Sequence, residues 1–154
     1  MQLPKAIVGI DPGQTGAAAL ISDDEGAIDY FDWPGDAVAA AAEFGQWVED
    51  YNIEMAILES VNAMPKQGVS STFKFGQNHG MWLGILAAFQ VPHKLVRPRE
   101  WQKGLFKKGD GNAPKTRSLT VARRLFPRAD LRLKKHNGRA DALLMAVYGK
   151  NRRE

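Results

Sequence analysis

The chain has 154 residues, 44% of them hydrophobic and 25% charged, with no Cys. That length and balance describe one folded domain, and the missing Cys excludes disulfides, thiolate zinc sites and cysteine nucleophiles. The net charge of +4 conceals a division, because residues 1–60 hold 1 Lys against 12 Asp plus Glu, and residues 61–154 hold 20 Lys plus Arg against 5 Asp plus Glu. A basic half of that size points to a polyanionic partner. No apolar run approaches the roughly 18 residues of a membrane helix, and the N-terminus carries no basic-then-apolar signal segment. A cytoplasmic protein of a bacterial cell or phage-infected host, with no membrane contact, is therefore expected, and no small-molecule cofactor is expected either.

Residues 6–10 are apolar and β-branched at Ile7, Val8 and Ile10, and they stop at Asp11-Pro12-Gly13. This predicts a buried strand ended by a turn. Residues 17–21 and 28–33 predict two more strands, joined by a turn at 23–26 and closed by Pro34-Gly35, so the first three form an antiparallel meander. Asp36 opens an Ala-rich helix to about residue 51, with Phe44, Trp47 and Val48 on one face. Residues 55–58 predict a fourth strand ending at Glu59, and 62–69 a loop. Ser70 or Ser71 is expected to cap a helix reaching about residue 89, whose Met81, Trp82, Ile85, Leu86 and Phe89 read as a core face. A short fifth strand at 95–96 precedes a mobile basic loop at about 98–113. Pro114 suits the first turn of a helix to about residue 125. A basic irregular linker, a last helix over 138–148 and a frayed charged tail at 150–154 complete a single domain, 1–154. The order predicts an α/β fold with one mixed five-stranded sheet, an antiparallel meander followed by parallel strands, flanked by helices.

Asp11 and Glu59 stand where apolar strands end, and Asp141 stands near the start of the last helix. An ionised carboxylate beside a buried run is costly unless paired, hydrogen-bonded or metal-bound. Alone, Asp11 reads equally as an Asx-type turn before Pro12-Gly13, and Glu59 as a surface acid. Three such acids in a chain whose other half is basic favour a hard cation such as Mg²⁺ with oxygen ligands. Two such ions clamp the attacking and leaving oxygens of a phosphodiester. The Gly-rich turn from Gly9 to Gly16 lacks the Gly-Lys-Ser/Thr ending of a P-loop. His79 and His93 read as structural or surface residues.

Gly9-Ile10-Asp11-Pro12-Gly13, Leu58-Glu59 and Ala140-Asp141-Ala142-Leu143 together resemble RuvC-type Holliday junction resolvases of the ribonuclease H-like superfamily. Lys74-Phe75-Gly76-Gln77 is similar to that family's second helix, and Val96-Arg97-Pro98 with Trp101 and Lys103 resembles its phage and prophage branch. The likeness runs from about residue 7 to 148. It implies a ribonuclease H-like fold and a homodimer that cuts four-way DNA junctions with Mg²⁺ (Mn²⁺ able to substitute), two ions per site, leaving 5′-phosphate and 3′-hydroxyl nicks. By carry-over Asp11, Glu59 and Asp141 are metal ligands. The family expects a fourth ligand shortly before Asp141, where this chain has His136 and Asn137, and relatives with the Gly-Arg-Ala-Asp pattern often carry Asp at the place of Asn137. Asn137 and Asp141 are i and i+4, on one helix face. Two readings of Asn137 stay open: an N-cap of the last helix, or a ligand position holding a neutral residue. In the second case Asn137 is either an inactivating substitution or a natural departure covered by His136.

In the basic half, Lys103, Lys107, Lys108, Lys115, Arg117, Lys134, Lys135 and Arg139 are expected at phosphates, with Lys74 from the second helix, giving salt-dependent affinity. By the resemblance Lys115 is the first choice for a contact near the scissile strand. The same family places an apolar side chain at the junction centre, for which Met64, Phe73 and Phe75 are the candidates, each also readable as core or dimer packing. Two alternatives stand beside the resolvase: another ribonuclease H-like nuclease acting on RNA–DNA hybrids or flaps, and a catalytically degenerate junction-binding protein.

Overall fold

The computed structural model describes residues 2–60, 66, 68–111 and 113–153. β1 (Lys5–Asp11), β2 (Ala17–Ser22) and β3 (Ile28–Asp32) form the expected meander. After α1 (Ala37–Asp50), β4 (Asn52–Glu59) lies parallel to β1. After α2 (Val69–Ala88), β5 (His93–Val96) lies parallel to β4. α3 (Pro98–Gln102), α4 (Pro114–Leu125), a tight turn at Lys134–His136 and α5 (Asn137–Asn151) follow, and the sheet order is β3-β2-β1-β4-β5.

Two cores cover the two faces of the sheet. Strand side chains alternate between faces, so Ala6, Val8, Ile10 and Leu58 pack with Phe44 and Trp47 of α1 and Trp82 and Leu86 of α2. The alternate set, including Ile57, packs with Leu143, Leu144 and Met145 of α5. Gly9 belongs to that second face, and its bare backbone lets α5 lie directly on β1. A Cβ there would overlap the Ala142 carbonyl oxygen and stand 2.6 Å from the Ala146 nitrogen.

The pairing of β1 with β4 is not uniform. Ala6 lies opposite Ile53, but Ile7 lies opposite Met55, so Glu54 is an extra residue in a bulge. From there the register runs to Ile10 opposite Leu58, which leaves Asp11 and Glu59 level at the ends of neighbouring strands. Ion pairs hold the bulge: Glu54 lies 3.5 Å from Lys5 Nζ and 3.0 Å from Arg153 Nη1.

Four expectations change. α2 begins at Val69 with Gly68 in the capping position and no side-chain cap, so neither Ser70 nor Ser71 caps it; Thr72 Oγ1 bonds back to the Gly68 carbonyl instead. The stretch read as an open basic loop contains α3, whose Trp101 is fully buried. Helix α5 runs on to Asn151, and the tail is tied rather than frayed: Arg153 reaches Asp23 at 2.7 Å as well as Glu54, and Arg152 lies 3.9 Å over the Tyr148 ring. His136 occupies the N-cap position of α5 and Asn137 is its first helical residue, so Asn137 is not the N-cap.

Candidate metal and active centre

The alternation that sends Ile10 and Leu58 towards α1 and α2 sends Asp11 and Glu59 to the α5 face. The start of α5 rests on the turn after β1: a Cβ on Gly138 would overlap the Thr15 carbonyl oxygen and stand 2.9 Å from Gly16 Cα. This brings the first turns of α5, with Asn137 and Asp141, to the end of the sheet that carries Asp11 and Glu59.

Asp11 does make the Asx-type turn, since its Oδ1 accepts from Gly13 N at 3.1 Å. The turn and a ligand role are compatible, because a carboxylate has a second oxygen. Burial pushes the Asp11 carboxyl above its usual range, partly offset by the Gly13 N–H. Glu59 is pushed up to about 8, first by burial and then by the negative charge of Asp11, with a smaller contribution from Asp141. Trp101 Nε1 donates to Glu59 Oε2 at 2.7 Å and opposes that rise. Carboxylates raised by burial and by a neighbouring acid in this way lack a positive charge. A divalent cation with oxygen ligands supplies it, so the donor chemistry fits a hard metal ion. Among the described residues no three His, Asp or Glu stand close enough to make a ready-formed metal cage.

His136 is buried and braces the turn before α5. Its Nδ1 accepts from Leu133 N at 3.2 Å and lies 3.7 Å from Asp130 Oδ1. Burial, and then the Arg139 charge, lower its pKa. Asn137 is half-buried, and its backbone N–H donates to the Lys134 carbonyl.

The expected phosphate contacts fall into two groups. Lys103, Lys107, Lys108, Lys134 and Lys135 are exposed, and Lys103 shares a cleft of about 430 Å³ with Arg97 and Arg99. Lys74 is also exposed and shares a cleft of about 350 Å³ with Gln14 and Trp33, beside the turn that follows Asp11. Two arginines are engaged inside the fold. Arg117 lies 4.3 Å over the Phe106 ring and reaches Gln102 Oε1 at 3.3 Å. Arg139 binds both oxygens of Asp32 at 2.8 and 2.9 Å and the Asp130 carbonyl at 3.0 Å, so its guanidinium is not free for a phosphate. The side chain of Lys115, on α4, and all of Met64 lie outside the described residues. Phe73 is 65% exposed on α2, and Phe75 stacks on His79 with ring centres 6.1 Å apart.

The Arg139–Asp32 pair joins α5 to the edge strand β3, and the Arg139 guanidinium holds the Asp32 carboxyl below the usual range. Its stabilisation is therefore present above pH about 4 and lost as pH falls through the lowered value. Asp32 is more than half exposed, so solvent screening limits the pair to about 1 kcal/mol. Arg139→Ala is expected to lower the melting temperature by roughly 2–4 °C at pH 7. The difference from wild type should shrink below pH about 4 in parallel thermal melts.

Sequence reading missed the link between Trp101 and Glu59. The motif around Val96-Arg97-Pro98 marks the tryptophan, but its partner lies 42 positions away.

Comparison with known proteins adds two findings. RuvC of T. thermophilus in complex with a Holliday junction substrate superposes with a TM-score of 0.63 at 17% identity, covering 94% of this chain and 91% of that one. A second Thermus thermophilus RuvC structure gives 0.54 at 18% identity, covering 93% and 92%. The chain thus has the RuvC form of the ribonuclease H-like fold. Among curated proteins it is 38% identical over 89 residues to the chloroplastic Holliday junction resolvase MOC1 of Chlamydomonas reinhardtii. That match takes in 55% of this chain and only 10% of the relative. No family model matches the chain.

Proposed function

We propose that the chain is a structure-selective DNA endonuclease that resolves four-way junctions by divalent-metal-dependent phosphodiester hydrolysis. The observation that carries this reading is the level, half-buried placement of Asp11 and Glu59 on the α5 face, with Asp141 contributing to the same field. Asp11, Glu59 and Asp141 would hold Mg²⁺, or Mn²⁺ in its place, two ions per site. Such ions, when bound, activate water and neutralise charge developing on the phosphate oxygens. Lys74, beside the Asp11 turn, and Lys103, on the α3 side of Glu59, would hold the strand backbone across the site. The chain would leave 5′-phosphate and 3′-hydroxyl ends.

Symmetric cutting of a four-way junction needs two sites, and a two-fold dimer supplies them. Helix α2 is its best-supported face. Gly76, Gly80 and Gly84 recur every four residues with nothing within 4 Å of an added Cβ, and Val69 and Phe73 are 87% and 65% exposed near the helix start.

Asn137 supports the assignment of the fourth ligand position, because His136 is occupied in bracing its own turn. A neutral amide there weakens cation binding while keeping the shape of an acid. The same observation favours one second reading, a junction-binding protein with weakened catalysis.

The test uses labelled four-way junction, hybrid duplex and flap substrates, with and without Mg²⁺. Paired symmetric nicks confined to the junction and dependent on Mg²⁺ are expected. Asn137→Asp is expected to raise the rate by about tenfold or more. No cutting by either form, with junction binding intact, would support the second reading.

A further inference from the structure

The Glu59 carboxylate ends a strand, and a glutamate there has three rotatable bonds with which to leave the pose a metal ligand needs. Among the described residues one side chain donates a hydrogen bond to it, the indole of Trp101, 2.7 Å from Oε2. Trp101 is 0% exposed and packs against the edge of Phe106, ring centres 6.0 Å apart. The short helix that carries it is itself anchored. Tyr148 Oη donates to Glu100 Oε2 at 2.8 Å, which ties α3 to α5, and Arg117 reaches Gln102 from α4. The indole nitrogen thus has no freedom to follow the carboxylate, and the carboxylate must come to it.

The chemistry of the donor matters as much as its place. An indole N–H donates and never accepts, and it carries no charge. It fixes one carboxylate oxygen without bringing a positive charge of its own, and among the described residues no side chain donates to Oε1. A Lys or Arg in the same place would compete with the cation for the carboxylate's charge.

We propose that Trp101 is a positioning residue for Glu59, holding Oε2 so that Oε1 is presented to a divalent cation. The proposal rests on the reading of Glu59 as a metal ligand. Outer partners of this kind affect metal affinity or activity by roughly 10–100-fold.

The test replaces Trp101 with 3-benzothienylalanine, which keeps the ring shape and puts sulfur where the N–H was. The whole protein is titrated with Mn²⁺ by calorimetry, and junction cleavage is followed against Mg²⁺ concentration. The expected result is a rise of roughly 10–100-fold in the Mn²⁺ dissociation constant and in the half-saturating Mg²⁺. Metal-free junction affinity and melting temperature should stay close to wild type. 5-Fluorotryptophan, which retains the N–H, should restore both metal constants. In wild type the Trp101 indole N–H resonance, assigned by its loss in Trp101→Phe, should exchange slowly and shift on adding Mg²⁺. Equal Mn²⁺ binding by the sulfur analogue and wild type would overturn the positioning role while leaving the metal site standing. A wild-type protein that binds no divalent cation would overturn the metal-site reading and this proposal with it.

Discussion

Asp11→Asn is expected to lower junction cleavage by at least about a thousandfold and to raise the melting temperature of the metal-free protein. The first effect follows from the loss of a ligand charge, which removes several kcal/mol of transition-state stabilisation. The second follows from the geometry of the pair. Asp11 is half-buried and its charge raises Glu59, so in the absence of a cation the two carboxylates oppose each other. An Asn removes that opposition, and its side-chain oxygen can still accept from Gly13 N. A gain of about 1 kcal/mol or more is expected, or roughly 2–4 °C. Junction affinity in metal-free buffer should hold or tighten, because one negative charge beside the DNA backbone is gone. Melts with and without chelator, a gel-shift titration and single-turnover cleavage read all three quantities. Retained cleavage, or a lowered metal-free melting temperature, would contradict the assignment.

Gly9→Ala is expected to cost about 3–5 kcal/mol and to lower the melting temperature by roughly 10 °C or more. The added carbon would meet backbone atoms, the Ala142 carbonyl oxygen and the Ala146 nitrogen. Backbone cannot rotate aside as a side chain can, so α5 must lift from β1. Gly149→Ala is the matched control. Its Cβ would stand 2.8 Å from side-chain carbons of Ile7 and Ile57, which can shift, and a cost of about 1–2 kcal/mol is expected. Equal costs for the two variants would mean that α5 is free to adjust over β1.

The strands and the two acids that end them were legible because the signals are local. Asp-Pro-Gly stops an apolar run, and period-two alternation fixes which face each residue takes. The Asp36 cap was legible for the same reason, and its Oδ1 accepts from Ala39 N at 2.8 Å. What escaped depends on distant partners. A five-residue helix inside a basic stretch has too few turns to show a period, so α3 read as a loop until the contact of Trp101 with Glu59 was in view. In sequence Arg139 reads as a phosphate contact and Arg153 as part of a charged tail. In the fold they are bound to Asp32 and to Asp23 and Glu54, partners 107, 130 and 99 positions away. His136 stands near the fourth ligand position that the resemblance implies, and its contact with Leu133 N is set by a turn geometry that the sequence does not display.

The bulge at Glu54 makes β4 a ruler. Each residue of a strand advances about 3.3 Å and reverses the face. Pairing Glu54 in regular register instead of bulging it out would leave Glu59 one step too far along and on the wrong side of the sheet, with every candidate ligand still present in the sequence. The distance from the strand's start to its terminal acid is therefore as much a part of the site as the acid itself. Lys5 and Arg153 hold the zero mark of that scale at the end of the sheet remote from the carboxylates. In comparing or grafting such domains, the residue count between this bulge and the glutamate is the quantity to conserve, and a single deletion there would mimic an active-site mutation.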